Sequence, residues 1–596
     1  MRMCSIEAPL MTTPSRMRDP ARPMRKKTVC LCTLALGARL RSQHGSACEV
    51  AISSTGHHDT GIDPMKGSSL SMASGLWLRW LAGLGVLAHA IAIHCQALPY
   101  TTDELQYVAW SQALDWGYFS KPPGIAAALW LWSFADPQAI ALRFLSQICY
   151  GLSLLICFNM LRDDGFSPST AFTALLLLAS MPMIGFAQWF FTTDALLLMC
   201  WLCALTLAWR ALAIGNAHNA MRRWVVLGFV IALGVLCKHS MVFFWLGLLI
   251  YMRWMQATSA AQWRGLALCF LVFTLSLTPH MIWLLDHPGT TLRHLADLQG
   301  IGSAFEPEGT ADAQAAVSLI EHLLQAFEFI AVQWLGLGLA VLLLLRRQAR
   351  WSPLQRWLLA QSVPVLGLFV LQAGLSRAYA NWALPATFTL GLALLAHFLN
   401  DGKAEALGGL SDESARPDGL QASGAQGEAV TTRLGLWLVS NLLLSLFISF
   451  GAQGLKLIRP DAGIWIDRID PFHRQRGWDE FNRALLALQK PASVPWVVSD
   501  RDAAARILQR FGEAQLLYRP MPGAKPNHYA LRYPFGDSIT QAATQQPNAV
   551  NSRSCTWSLM RNRAPDDPRQ QLLAQVQRPR LSGRTETWFV TASACD

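Results

Sequence analysis

The sequence predicts a polytopic α-helical membrane protein with a small α/β domain at its C-terminal end. Only 15% of the 596 residues are charged and 52% are hydrophobic, whereas soluble domains carry roughly 25% charged residues. Several windows of about 20 residues hold one charge or none, which is the length that crosses a bilayer core of about 30 Å. A polar tail with helix and strand signals follows the last of these windows and predicts the additional domain.

Residues 1–72 differ in composition from the rest of the chain. They are rich in Arg, Ser and Met and show no periodicity. The apolar run 29–38 follows Arg25, Lys26 and Lys27, is too short to span a membrane, and is typical of a signal-like segment. Alternatively, translation starts at Met65 or Met72 and this segment is upstream sequence. Both interpretations stay open, and the membrane domain is predicted to begin at residue 73.

Apolar windows predict about eleven transmembrane helices. They cover residues 76–94, 138–160, 169–190, 194–213, 224–238, 241–256, 265–285, 325–345, 356–374, 381–399 and 433–455. The membrane domain therefore extends over residues 73–400, with a first outer loop at 95–137, and a last transmembrane helix lies at 433–455.

Basic residues at the ends of the apolar windows predict the orientation, because cytoplasmic loops carry an excess of Lys and Arg. If the first helix runs outward, the loops that hold Arg162, Arg222, Arg253 and Arg350 are all cytoplasmic. The N-terminal side is then cytoplasmic in a bacterial inner membrane, and the C-terminal domain is periplasmic. The net charge of +11 is spread over these helix ends, which argues against a nucleic-acid partner.

Two polar stretches complete the organisation. Residues 401–432 are rich in Gly, Ala, Ser and Asp and are predicted to be a flexible cytoplasmic linker. Residues 456–596 contain "WDEFNRALLALQK", which has helical spacing, and "VPWVVSD", which is typical of a buried strand. We predict a soluble periplasmic α/β domain here; Cys555 and Cys595 could form a disulfide in it or remain thiols.

Polar residues collect on the predicted outer face, at the ends of separate membrane helices. An intramembrane charge is costly, so such residues are functional hypotheses by default. Each has a structural explanation by itself, such as a helix cap for Asp194 or an interfacial anchor for Lys121. Their convergence on one face predicts a site instead. Its members are Asp103, Glu104, Tyr118, Lys121, Arg143, Asp194, Lys238, His239, Arg377, Tyr379, Asn381 and Trp382.

Carboxylates and cations at the outer edge of a membrane suit one chemistry in particular. Cations stabilise a phosphate whose negative charge grows as it leaves, and a nearby carboxylate can deprotonate an attacking hydroxyl. Together they predict glycosyl transfer from a polyprenyl-phosphate sugar. The alternative is a lipid or sugar transporter or flippase, which needs charges through the membrane depth. The middle positions of the predicted helices instead hold mostly Leu, Ala, Phe and Trp.

The stretch "TTDELQYVAWSQALDWGYFSKPPGIAAALW" closely resembles the first outer loop of the family 39 (GT-C type) glycosyltransferases. That group contains the bacterial aminoarabinose transferases that act on lipid A, their galacturonosyltransferase relatives and the protein O-mannosyltransferases. The segments "RFLS", "TTDALLL", "GVLCKHS" and "NWALPA" follow in the family's order, so the resemblance covers about residues 76–400. In the tail, "SDRDAAARIL" is similar to the outer domain of many bacterial members.

The resemblance implies a GT-C membrane fold and an inverting transfer to a glycolipid such as lipid A, another envelope glycan or a protein. It implies that Asp103 is the catalytic base, that Glu104 supports its geometry or a metal, and that Asp194 is the second outer acid. It further implies that Lys121, Lys238 and Arg377 bind the donor phosphate, and that Tyr118, Tyr379, Asn381, Trp382 and Arg143 line the substrate cavity. A divalent metal at Asp103 and Glu104 is the one cofactor it admits, and Ser120, where relatives often carry an acid, weakens that expectation.

Overall fold

The computed structural model describes residues 65–96, 98–136, 141–212, 217–254, 259–287, 319–339, 341–344, 350–376, 378–399, 418–520, 527–534, 556–562 and 570–593. The predictions for residues 1–64, for the linker up to residue 417, for Arg377 and for the pair Cys555 and Cys595 lie outside this part of the chain.

The membrane domain is built mainly from apolar helices. In chain order they are α1 (Met65–Cys95), α2 (Thr102–Ser111), α3 (Gly124–Trp132), α4 (Leu142–Asp163), α5 (Pro168–Ala179), α6 (Pro182–Ala187), α7 (Thr193–Leu212), α8 (Ala217–Cys237), α9 (Phe244–Trp254), α10 (Ala260–Asp286), α11 (Leu319–Leu337), α12 (Pro353–Leu375), α13 (Leu384–Leu399) and α14 (Asp418–Ile458). Short 3₁₀ turns at His239–Phe243 and Ala380–Ala383 lead into α9 and α13.

Within the described residues, eight helices are long and apolar enough to cross a bilayer. They lie at Leu76–Cys95, Leu142–Asp163, Thr193–Leu212, Ala220–Cys237, Ala260–Asp286, Pro353–Leu375, Ala380–Leu399 and Val430–Ile458. Each coincides with one of the predicted windows, so the polytopic helical fold is confirmed.

The remaining three windows contain shorter, broken or more polar helices. The window 169–190 is divided into α5 and α6, because Pro182 cannot continue the helix that ends at Ala179. The window 241–256 holds a 3₁₀ turn followed by the 11-residue helix α9. The window 325–345 overlaps α11, which carries Glu321 and Glu328 and ends at Leu337. Apolar composition alone therefore does not distinguish a full span from a helix that stops inside the domain.

Helix α14 begins earlier than the sequence predicts. It starts at Asp418, inside the stretch expected to be a flexible linker up to residue 432. No proline follows Pro417 before the apolar segment, and adding residues to an existing helix costs little compared with starting one.

Helices α7 and α13 lie at the centre of the membrane domain. Both are buried over most of their length, and α7 packs against α4 and α8. A helix that is apolar on all sides is expected in such a core position. Asp194 lies in the first turn of α7, so the central position of this helix places a carboxylate in the middle of one end of the membrane domain.

The C-terminal domain is a mixed five-stranded sheet with helices, as predicted for an α/β domain. Its elements are α15 (Gly463–Ile469), α16 (Trp478–Ala487), β1 (Trp496–Val498), α17 (Arg501–Phe511), β2 (Leu516–Tyr518), α18 (His528–Arg532), β3 (Trp557–Arg561), β4 (Gln570–Pro579) and β5 (Thr585–Ser593). The strand order is β2-β1-β3-β5-β4, with β1 parallel to β2 and β3 and the other pairs antiparallel. Helix α16 and strand β1 confirm the two segments quoted above.

The α/β domain packs directly on the loop helix α2. Leu105 of α2 belongs to the same buried apolar cluster as Trp478, Trp496 and Trp588 of the domain. The hydroxyl of Thr102 donates a hydrogen bond to Asp502 of α17. The first outer loop is therefore held between the membrane helices and the α/β domain.

Candidate active site

Glu104 is fully buried, with an exposed fraction of 0%, and its two oxygens accept four hydrogen bonds. The guanidinium of Arg143 donates from Nε to Oε1 and from Nη2 to Oε2, each at 3.2 Å. The backbone N–H of Phe191 donates to Oε1 at 3.0 Å, and that of Thr101 donates to Oε2 at 2.7 Å. The last bond is half of a capping box at the start of α2. This bonding favours the geometric role for Glu104, because it fastens α2 to α4 and to the segment before α7.

Asp194 forms the centre of a second buried cluster. Its Oδ1 lies 2.5 Å from Nζ of Lys238, and its Oδ2 accepts a hydrogen bond of 3.0 Å from Nδ2 of Asn381. The three residues come from the first turn of α7, the end of α8 and the 3₁₀ turn before α13. The structure thus brings together three of the residues that the sequence nominates separately.

The Lys-Pro-Pro-Gly turn places Lys121 beside this cluster. Gly124 begins α3 in close contact with the end of α8: a Cβ atom there would lie 2.6 Å from the Leu236 carbonyl oxygen and 2.9 Å from Cys237 Cα. Because glycine alone permits this approach, the turn that carries Lys121 lies against the residues that precede Lys238.

Lys121 is a half-buried cation near Asp103, Asp194 and Lys238. Burial lowers its pKa, and the positive charge of Lys238 lowers it further, while Asp103 and Asp194 oppose the shift. Within the described part of the chain its ammonium group forms no hydrogen bond or ion pair. An anion brought to this point would therefore meet a cation that has little solvent and no bonded protein partner.

A pair of histidines extends the site beyond Lys121. Nδ1 of His280 lies 2.6 Å from the Trp116 carbonyl oxygen, so this nitrogen carries the proton that is donated. Nε2 of His280 then accepts from Nε2 of His239, at 3.1 Å. Burial, His280 and the charge of Lys121 lower the pKa of His239 to about 4. This side chain is therefore neutral near pH 7 and adds no charge beside Lys121.

Asp103 lies on the other side of α2 from Glu104 and is half exposed, at 52% of its side chain. Arg501, the first residue of α17, forms an ion pair with it. The same Nη2 donates to Oε1 of Gln106 at 2.7 Å. The α/β domain thus contributes a cation directly to the carboxylate that the sequence nominates as the base.

The predicted cavity residue Tyr118 has a different environment. It is buried, and its ring stacks on Trp110 with centroids 4.6 Å apart. Its hydroxyl donates towards the carbonyl oxygens of Trp110 and Ala113 and accepts from the Asp115 N–H. Burial raises its pKa to about 12. These contacts favour a role in holding the loop that leads to Lys121.

A largely apolar cavity of about 570 Å³ lies beside the Asp194 cluster. Its polar residues include Asp194, Asn381, Tyr379, Gln333 and Thr192, and its apolar ones include Met183, Phe186, Phe190, Val332, Leu335, Leu384 and Ile448. Tyr379 and Asn381 line this cavity, and Trp382 packs against Tyr379 and Phe369. The apolar cavity is therefore continuous with the buried charged residues of the Asp194 cluster.

The paired acids do not fit a metal site. The two carboxylate oxygens of Glu104 already accept four hydrogen bonds from N–H donors. Asp103 is paired with the Arg501 cation. In the part of the chain that the structure describes, no group of three or more His, Cys, Asp or Glu side chains is arranged to hold a metal ion.

Two contributors to this face, His280 and Arg501, were not among the residues predicted from the sequence. A signal for Arg501 was available: it occupies the first turn of a helix, where the helix dipole disfavours a cation, which indicates a compensating acid elsewhere. Its partner Asp103 is distant in sequence, so the sequence could not identify the pair.

Comparisons with known proteins agree with this architecture. Residues 120–283 match the family model described as dolichyl-phosphate-mannose-protein mannosyltransferase. The chain is 29% identical over 314 residues to the lipid A galacturonosyltransferase RgtD of Rhizobium johnstonii, which covers 50% of this chain and 61% of that protein. It is 27% identical over 212 residues to the undecaprenyl phosphate-alpha-4-amino-4-deoxy-L-arabinose arabinosyl transferase 2 of Pseudomonas fluorescens, which covers 32% of this chain and 37% of that protein.

The fold is also similar to a solved structure. The crystal structure of ArnT from Cupriavidus metallidurans in the apo state matches with a TM-score of 0.53 and 12% identity, covering 88% of this chain and 99% of that one. The chain matches less than two thirds of the length of each of these two relatives. Their full activities are therefore not assigned to it on this similarity. By sequence match and by fold, the chain is related to the family 39 (GT-C type) polyprenyl-phosphate-sugar-dependent glycosyltransferases.

Proposed function

We propose that the protein is a membrane glycosyltransferase that moves one sugar from a polyprenyl-phosphate donor to an acceptor hydroxyl, with inversion. The observation that carries the proposal is the junction of an apolar cavity with buried charges: the cavity reaches Asp194 and Asn381, and Lys238 and Lys121 adjoin them. Such a junction matches an amphiphile that has a long apolar chain and a phosphate. One relative is a lipid A galacturonosyltransferase, which supports a lipid A acceptor, and the other is named for an undecaprenyl-phosphate sugar, which supports the donor.

The donor would lie with its polyprenyl chain in the apolar cavity and its phosphate near Lys121. Lys238 is already neutralised by Asp194 at 2.5 Å, whereas Lys121 has no bonded partner among the described residues. As the bond between the sugar and the phosphate breaks, the phosphate gains negative charge, and a desolvated cation stabilises this charge most. Lys121 is therefore the principal phosphate ligand in the proposal, and Lys238 is a secondary cation beside it.

The acceptor hydroxyl would lose its proton to Asp103. In the proposed step the acceptor oxygen forms a bond to the anomeric carbon, the bond from that carbon to the phosphate oxygen breaks, and polyprenyl phosphate leaves. The proton goes to the Asp103 carboxylate, which is the half-exposed member of the acid pair and can reach an incoming hydroxyl. Glu104 keeps α2 in place through its bonds to Arg143.

We further propose that this face is periplasmic and that the N-terminal side is cytoplasmic. The basic residues at the opposite ends of the helices support this orientation. Single cysteines placed at Asp115 and at Arg264 would test it. A membrane-impermeant maleimide added to intact cells should label the first position and spare the second.

The function is tested with purified protein in liposomes, supplied with labelled polyprenyl-phosphate sugars and lipid A. The expected result is transfer of label, which is lost in Asp103→Asn. Asp115→Asn is the matched control, because Asp115 lies in the same loop and its carboxylate accepts, from the described residues, only a local bond from the Trp116 N–H. Near-normal turnover of Asp103→Asn would contradict the assignment of the base. Movement of intact donor across the bilayer without transfer would favour the alternative, a transporter or flippase.

Lys121→Ala separates donor binding from the other steps. A hydrogen bond to a charged group is worth roughly 1.5–3 kcal/mol, so the donor KM should rise by about 10- to 100-fold while the acceptor KM stays near its original value. An unchanged donor KM would mean that Lys121 is only an interfacial anchor.

A further inference from the structure

A second cleft, of about 740 Å³, lies where the membrane helices meet the α/β domain. Its membrane side is formed by the outer ends of α1 and α4 and by residues 98–100, and its other wall by α16 and α17. Because α1 and α4 both cross the bilayer and end here, the cleft lies at the depth of lipid head groups.

The cleft is rich in guanidinium groups. Arg143, Arg483, Arg506 and Arg510 line it together with His94, and Asp479 is the one acid among its lining residues. Arg510 is exposed and has no hydrogen bond or ion pair within the described residues. Arg483 is also exposed, with only a 3.4 Å contact to Glu480 on its own helix as an ion pair.

A third cation of the cleft is buried and only partly bonded. Arg506 is 3% exposed; its Nη2 donates to the Tyr100 carbonyl oxygen, while its Nε has no partner among the described residues. Burial lowers the pKa of this guanidinium to about 10, which still leaves it charged at neutral pH. Leaving such a group short of partners is costly, so an anion in the cleft would stabilise it.

An apolar track leads from the cleft along the membrane helices. His94 at the end of α1 stacks on Phe144 of α4, with ring centroids 4.1 Å apart, so the two helices are neighbours at this level. Below this contact the side chains of Ile91, Phe144, Ile148 and Leu152 are exposed on the outside of the protein. Acyl chains can lie along such a surface while a charged head group occupies the cleft.

We infer that this cleft binds the phosphorylated head group of an anionic lipid, with the acyl chains against α1 and α4. Arginine suits a phosphate because its planar fork donates two parallel hydrogen bonds. The cleft differs from the cavity at Asp194, whose lining residues it does not share. Arg143 connects it to the candidate active site, since the same guanidinium holds Glu104. The lipid is either a bulk phospholipid or the acceptor glycolipid, and only the second identification rests on the proposed function.

The test compares the double variant Arg483→Gln/Arg510→Gln with Arg468→Gln. Arg468 is an exposed arginine of the same domain that stacks on Trp465 and lies outside the cleft. Each protein is placed in nanodiscs of phosphatidylglycerol and phosphatidylcholine, and the co-purifying lipid is quantified by native mass spectrometry. Basic residues near an anionic membrane contribute about 1 kcal/mol each, so removing two should weaken phosphatidylglycerol retention by about 30-fold.

The source of the lipid is decided by a second measurement on the same variants. Loss of phosphatidylglycerol retention with an unchanged acceptor KM identifies a phospholipid site. A raised acceptor KM with an unchanged donor KM identifies the acceptor head group. If the double variant matches Arg468→Gln in both measurements, the inference is wrong. Absence of transfer in every protein would refute the proposed function alone, because lipid retention is measured without catalysis.

Discussion

Replacing Arg143 by Met should destabilise the fold far more than removal of an exposed arginine. The Glu104 carboxylate would remain buried, at 0% exposure, and the N–H groups of Thr101 and Phe191 would be its only donors among the residues that the structure describes. The carbonyl oxygens of Leu98 and Pro99 would also lose the guanidinium bonds of 2.8 and 3.1 Å that they now accept. Breaking a buried ion pair by removing one partner costs about 3–5 kcal/mol, a large share of a typical stability of about 5–15 kcal/mol.

The measurement is unfolding by denaturant in mixed detergent micelles, followed by tryptophan fluorescence. Arg210→Met is the matched control, because Arg210 pairs with Asp163 at 2.5 Å but both side chains are about two-fifths exposed. An exposed pair contributes about 0–1 kcal/mol. The double variant Arg143→Met/Glu104→Gln should recover part of the loss, since it no longer buries an unpaired charge.

Equal stabilities of Arg143→Met and Arg210→Met would refute this reasoning, because they would mean that Glu104 finds solvent or another cation when Arg143 is absent. The same result would mean that the Arg143–Glu104 pair does not hold α2 in place, and it would remove the explanation for the position of Asp103. A loss in Arg143→Met without any recovery in the double variant would attribute the effect to the carbonyl bonds rather than to the carboxylate.

Three further predictions concern contacts around α2 and α7. Arg501→Ala should lower kcat by up to about 100-fold, because a misplaced catalytic group can cost that much. Arg501→Lys should lose less activity, and guanidinium added to Arg501→Ala should restore part of its rate. A kcat of Arg501→Ala equal to that of the parent protein would show that Arg501 does not position Asp103. Burial and the charges of Arg532 and Arg501 lower the pKa of His528 to about 4. The unfolded chain therefore takes up a proton on His528 at a higher pH than the folded chain does, and the free energy of unfolding should fall as the pH drops from about 6.5 towards 4. His528→Gln should flatten this part of the stability–pH curve, and an unchanged slope would contradict the role given to His528. Lys238→Met should leave the buried carboxylate of Asp194 without its cation and reduce the yield of folded protein. Lys238→Met/Asp194→Asn should restore folding but not donor use. If the double variant folds no better than Lys238→Met, the lost ion pair is not the cause of the reduced yield.

Local composition was sufficient for much of the fold. A window of about 20 apolar residues must cross or enter the membrane wherever it lies in the chain, so most helices of the membrane domain, as well as α16 and β1, follow from the sequence. The exceptions have local causes that composition does not weigh, namely Pro182 in the third window and the acids of α11. The early start of α14 has the opposite cause, since a long apolar helix extends into polar residues that would not form a helix alone.

The candidate site shows the same division more sharply. The sequence by itself determined that Asp103, Lys121, Asp194 and Lys238 lie at the same end of the membrane domain, because the order of the helices along the chain carries all four to one side. Only the tertiary structure decided their roles. Asp103 and Glu104 are neighbours in sequence, yet successive residues of a helix point about 100° apart, so one meets Arg501 of the α/β domain and the other is buried against Arg143. These partners come from distant parts of the chain, and no periodicity within a segment records which distant side chain will neutralise a charge.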